Sequence, residues 1–295
     1  MSRLDPELPH AFRVSPHGQN ALEPHPIVLE RLRTDSTLPS RIPNRRAAGP
    51  KSIVALLLTF TAGYVDIVGL LTIYKLFAAH VTGTTVRLGE QLLHHNWKAA
   101  EAPITIVFAF LIGAVIGHIV IEVGARHSIQ RIATPLFAAE AALLVGLIVL
   151  HARILEPGDS QRIAAGSLAM LASAMGLQTA TLSKIGPLTI HTTFVTGMIN
   201  ELAQLVGRWI SQIYQLLRNA SQPHLRKLHA ETGHGALLIF GIWTMYLVGA
   251  IFGAWLAIRW QLKSLFVPCG LLMIAIAVDQ AVPLAIEEEK QELKK

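Results

Sequence analysis

The chain has 295 residues, 52% hydrophobic and only 15% charged, with a formal net charge of +6. Soluble domains carry about 25% charged residues, so this composition excludes a water-soluble globular protein and argues for lipid. No aromatic-interleaved basic patch accompanies the positive charge; its lysines and arginines flank apolar runs as orientation signals, and nucleic acid is not an expected partner.

Residues 1–51 contain eight of the 15 prolines and no apolar run. Such a segment buries too little surface to offset its conformational entropy, so a disordered cytoplasmic tail is expected. Arg41, Arg45, Arg46 and Lys51 stand just before the first apolar run. By the positive-inside rule they hold the N-terminus in the cytoplasm. Six apolar runs follow, at 52–74, 103–121, 134–151, 163–182, 236–258 and 264–284. A helix of about 20 apolar residues crosses a hydrocarbon core of about 30 Å. Continuous runs, as opposed to alternating ones, point to helices and not to a barrel. The expected fold is therefore all-α: a polytopic transmembrane bundle over 52–284 with about six spans and a charged C-terminal tail at 285–295.

Between the spans the chain repeats itself. Val81-Thr82-Gly83 recurs as Val195-Thr196-Gly197, and the sequence around Gly113 and Gly117 recurs around Gly249 and Gly253. Pro135 and Pro268 open corresponding spans. Two halves, about 52–151 and 163–284, are thus expected to share one order: a span, a polar VTG segment, a glycine-paired span, a short span. If the VTG segments do not cross, the halves are inverted; if they do, the repeats are parallel. Charge leaves both arrangements open, and the reading leans towards tilted or re-entrant helices. The paired glycines have the small-xxx-small spacing that brings helices together, and a packing role between the halves is expected for them.

An ionisable group inside a span is costly and is a candidate for function by default. Asp66, in Ala62-Gly63-Tyr64-Val65-Asp66, is one such group: a proton or cation site, or an anchor for the neighbouring VTG segment. Thr82, Gly83, Thr84, Thr196 and Gly197 offer close backbone approach and hydroxyls, and a helix starting there aims N–H groups at a ligand or at Asp66. Arg87, Glu90 and Glu201 are expected in salt bridges, and Gln178, Thr179 and Asn200 could line a polar cavity. Glu140, six residues into its run, is expected to snorkel, and Asp279 to be interfacial. His80 and His191 flank the VTG segments, yet none of the 13 histidines has metal-helix spacing, and the one cysteine is Cys269. No nucleotide-binding or hydrolase fingerprint is present. Catalytic residues, metal and cofactor are not expected.

The run Ala62–Asp66, followed by Leu76-Phe77-Ala78-Ala79-His80-Val81-Thr82-Gly83 and later by Gly176-Leu177-Gln178, Thr193 and Val195-Thr196-Gly197, resembles the YoaK-like family. That is a family of bacterial inner-membrane proteins under a domain-of-unknown-function label. The resemblance covers about 52–284. Thr84 and Thr179 depart from it where the family often has asparagine. It implies a bacterial plasma membrane and no substrate. Three functions compete on this reading. The first is a small-solute transporter or permease with a site between the halves, for a small molecule or ion. The second is a non-transporting scaffold or partner-binding subunit. The third is an intramembrane enzyme, which would need Asp66 beside His80 or Glu90.

Overall fold

In lipid every backbone donor and acceptor must find a partner within the protein, and a helix does this within one segment. The apolar runs fold accordingly in the computed structural model. It describes residues 45–284 apart from 74–77, 128, 154–159, 182–183, 186–187, 190–191 and 219–222. All described residues belong to the unit Pro43–Lys295. The expected disordered tail lies almost wholly outside the described residues, as do 285–295 and His191.

The helices are α1 (Arg45–Thr72), α2 (Val81–Leu93), α3 (Trp97–Arg126), α4 (Ala133–Arg153), α5 (Ser160–Thr181), α6 (Val195–Arg218), α7 (Pro223–Trp260) and α8 (Phe266–Ala281). A 3-10 turn, Gln261–Leu265, joins the last two. Between α5 and α6 a two-residue antiparallel pairing sets Lys184 against Thr189 and Ile185 against Leu188. Among the described residues four segments are long and apolar enough to cross a membrane: Gly49–Thr72, Trp97–Arg126, Ala133–Ala152 and Pro223–Ala281. The last is 59 residues long and holds both α7 and α8. The apolar run 163–182 forms α5, with Leu168, Leu171, Met175 and Gln178 buried.

Both VTG motifs open a helix. α2 has 13 residues, and at about 1.5 Å per residue it falls well short of a hydrocarbon core of about 30 Å. α6 has 24 residues but carries Asn200, Glu201, Gln204 and Arg208 along its length.

The closest packing runs between distant parts of the chain. α1 packs on α7 and α3 on α5 more extensively than any other pairs. Glycines set both contacts. A Cβ on Gly63 would fall on the Tyr246 carbonyl, and one on Gly249 would fall on the Phe60 carbonyl. Gly113 meets the Ser173 backbone and Gly176 the Phe110 carbonyl in the same way. Gly253 faces Ile67 and Tyr64, and Gly117 faces Ala180 and Leu177. The partner numbers rise together, so α1 runs parallel to α7 and α3 parallel to α5. α4 and α8 also pack, but there Thr134 meets Asp279 and Ala141 meets Cys269. Those numbers move in opposite senses, so α4 and α8 are antiparallel. α2 lies on α3, and α6 on α7.

The core contains Leu58, Tyr64, Ile106, Phe137, Leu144, Leu168, Leu171 and Met175. The outer face of α3 exposes Leu111, Ile112, Val115, Ile116 and Ile119. A contiguous aliphatic face of this kind suits hydrocarbon and not water.

Candidate functional site

The site is built where each VTG helix begins. Asp66 stands six residues before the end of α1 and is 2% exposed. Its Oδ1 accepts the Ala79 N–H at 2.8 Å, and its Oδ2 accepts the Tyr246 hydroxyl at 2.6 Å. One carboxylate thus ties α1, the segment leading into α2, and α7. Of the two roles expected for Asp66, the geometry displays the anchor. Charge-assisted bonds to buried donors are among the stronger ones a protein makes.

His80 stands just before α2 and is exposed. A Cβ on Gly83 would come within 2.7 Å of its ring, so the glycine gives the imidazole room over the first turn. Thr84 is buried and donates its hydroxyl to the His80 carbonyl at 3.0 Å. Thr82, Arg87 and Glu90 face outward. The expected Arg87–Glu90 ion pair is not among the described contacts; outward-facing charges need no partner when water or headgroups reach them.

Among the described side chains, the second junction is neutral. Thr179 of α5 and Thr193, just before α6, share a hydroxyl–hydroxyl bond of 2.6 Å. Gln178 is fully buried; its Nε2 donates to the Leu58 carbonyl at 2.7 Å and lies 3.4 Å from the Thr192 hydroxyl. Its Oε1 is buried with no hydrogen-bond partner among the described residues. This junction therefore keeps unused accepting capacity. Thr196 and Asn200 are exposed, while Gly197 and Glu201 are intermediate. The structure thus draws Asp66, Thr84 and Gln178 inward and leaves Thr82, Arg87, Glu90, Thr196 and Asn200 on the outside.

One group escaped the sequence reading, and one was misread. Tyr246 lies 180 residues from Asp66 inside the glycine-paired motif, and an aromatic hydroxyl in a span was the signal. Asp279, two residues before the end of α8, is fully buried within the protein. It accepts the Thr134 N–H and hydroxyl and the Leu284 N–H, satisfying a helix-start donor. Glu140 does not snorkel; it is fully buried. The start of α4 is covered by α8, so a side chain near that end has no route to water. Among the described residues no three His, Cys, Asp or Glu side chains gather as a metal set.

An all-helical bundle with glycine-mediated contacts, an aliphatic outer face and buried carboxylates tied to helix starts defines an integral membrane protein. The chain belongs to the family described as "Protein of unknown function (DUF1275)", which matches residues 54–278. It is 26% identical over 159 residues to the UPF0700 transmembrane protein YoaK of Bacillus subtilis (strain 168), covering 54% of this chain and 68% of that protein. The YoaK-like resemblance is thereby established. No solved structure matches.

Proposed function

We propose that this protein is a permease for a small polar solute in the bacterial inner membrane. On this reading it has six spans, a cytoplasmic N-terminus, and the two VTG helix starts beside the path. The helix directions carry the argument. Take α1, α3, α4, α5, α7 and α8 as the crossing helices. A crossing α6 would make α4 and α8 parallel, whereas they are antiparallel. With α6 returning to its own side, a crossing α2 would make α1 and α7 antiparallel, whereas they are parallel. Both VTG helices then start and end on one side, and the chain falls into two halves of three spans with inverted topology.

Inverted repeats with short interrupted helices at corresponding positions are the architecture in which transporters build a site near the midplane. Here the two helix starts enter from opposite faces. Each helix start carries a positive dipole end. Asp66 and the free Gln178 Oε1 supply polarity beside them.

The test is solute uptake into proteoliposomes under an imposed proton gradient, over a broad metabolite panel, comparing wild type with Asp66→Asn. Asparagine keeps an acceptor for Ala79 and removes the charge. Gradient-driven uptake by wild type, reduced in the variant, is the expected result. Folded wild type that moves nothing would overturn the reading and leave a membrane scaffold, whose partners co-purification would then seek.

A further inference from the structure

A second buried carboxyl takes no part in either helix-start junction. Glu140 is the eighth residue of α4, is 0% exposed, and has no hydrogen-bond partner on Oε1 or Oε2 among the described residues. The two other buried carboxylates behave differently. Asp66 is held by two donors and Asp279 by three.

Among the described residues, the surroundings of Glu140 supply no counter-charge. α4 is packed by α5, α8, the 3-10 turn and, more lightly, α3. From α8 the near titratable group is Cys269, within electrostatic reach of Glu140. Asp279, also on α8, is spent on the start of α4 and on Leu284. The described side chains of α5, residues 165–181, include no charge. Lys263 of the 3-10 turn is exposed. Glu122 and Arg126 of α3 pair with each other at 2.7 Å. On α4 itself His151 is exposed. An ionised carboxylate buried without donor or counter-ion is strongly disfavoured, and the group neutralises instead.

We propose that Glu140 is a proton-binding site: its carboxyl holds a proton while α4 and α8 are closed together. When the pair parts, the O–H bond breaks heterolytically, the proton passes to entering water, and the carboxylate left behind is solvated. No electron is transferred. Asp66 is poorly suited to this task, because changing its charge disturbs the bonds to Ala79 and Tyr246. Glu140 can gain or lose a proton without breaking a hydrogen bond. Its use in coupling solute movement rests on the permease reading; the proton site does not.

Infrared spectroscopy of the full-length protein in bilayers at neutral pH tests the site. A protonated-carboxyl C=O band is expected, moved by 13C-labelled glutamate, absent from Glu140→Gln and Glu140→Leu, and kept in Asp66→Asn. Wild type without the band, or a band that survives in a folded Glu140 variant, overturns the proposal. The label reads the residue type in wild type, so the test survives a variant that fails to fold. For coupling, Glu140→Gln should lose gradient-driven uptake in proteoliposomes while downhill exchange persists. Undiminished gradient-driven uptake would overturn the coupling role. If wild type transports nothing, the permease reading fails and the infrared result still decides the proton site.

Discussion

The starts of α2 and α6 solve one geometric problem with different chemistry. At each, a side chain near the end of the preceding helix reaches forward 13 or 14 residues to tether the segment before a VTG motif. At α2 the tether is a buried carboxylate that also holds Tyr246 of α7. At α6 it is a threonine pair, with Gln178 beside it reaching back to α1. The backbone arrangement recurs while the charge does not. A tether needs only an acceptor or donor at the right place; Asp66 holds groups from two further elements, whereas Thr179 and Thr193 join one helix to the segment that follows it.

The comparison breaks most severely at the helix contacts that support both junctions. Gly63→Ala and Gly176→Ala each set a methyl on a facing carbonyl, and each should cost about 3 kcal/mol, since tightly packed interiors resist added methyl groups. Both should lower the unfolding midpoint in detergent and the amount of folded protein in membranes. Gly89→Ala and Gly207→Ala, whose surroundings are open, should instead stabilise by about 0.5 kcal/mol through helix preference. Equal losses at Gly63 and Gly176 would mean that the two crossings carry equal weight.

The junctions themselves should differ. Asp66→Ala strands the buried Ala79 N–H and the half-buried Tyr246 hydroxyl, an expected loss of about 3 kcal/mol in denaturant titration. Thr179→Val removes two neutral bonds, to the Met175 carbonyl and to the Thr193 hydroxyl, and should cost about 1 kcal/mol. Matching losses would remove the distinction between a charged and a neutral tether. The smallest effect is expected for Arg87→Ala and Asn200→Ala, within about 0.5 kcal/mol, as for exposed positions generally. If either nonetheless lowers flux, that side chain faces the solute.

The apolar helices, the VTG helix starts and the packing role of the paired glycines were legible in the sequence; against six expected spans, four segments among the described residues are long and apolar enough to cross. Apolar length and small-xxx-small spacing are local signals that lipid leaves few ways to satisfy. Partner identity was not. Nothing in Gly113 says that it will meet Ser173 in place of its own neighbours, and nothing in Asp66 names Tyr246. Glu140 was misread for a related reason. Its distance from a span end suggested access to the interface, but whether an end is covered depends on another helix, here α8 over the start of α4.

The packing of α1 on α7 and of α3 on α5 has a consequence for synthesis. α1 leaves the ribosome long before α7, and α3 well before α5. Until those partners arrive, the notches at Gly63 and Gly113 stand open in the bilayer, facing lipid or whatever holds nascent spans. Contacts so far apart in sequence form late, and partly assembled chains are the ones that misassemble or are degraded. Truncations that end before α7 should therefore insert normally yet turn over quickly. Separately expressed halves, by contrast, should protect one another.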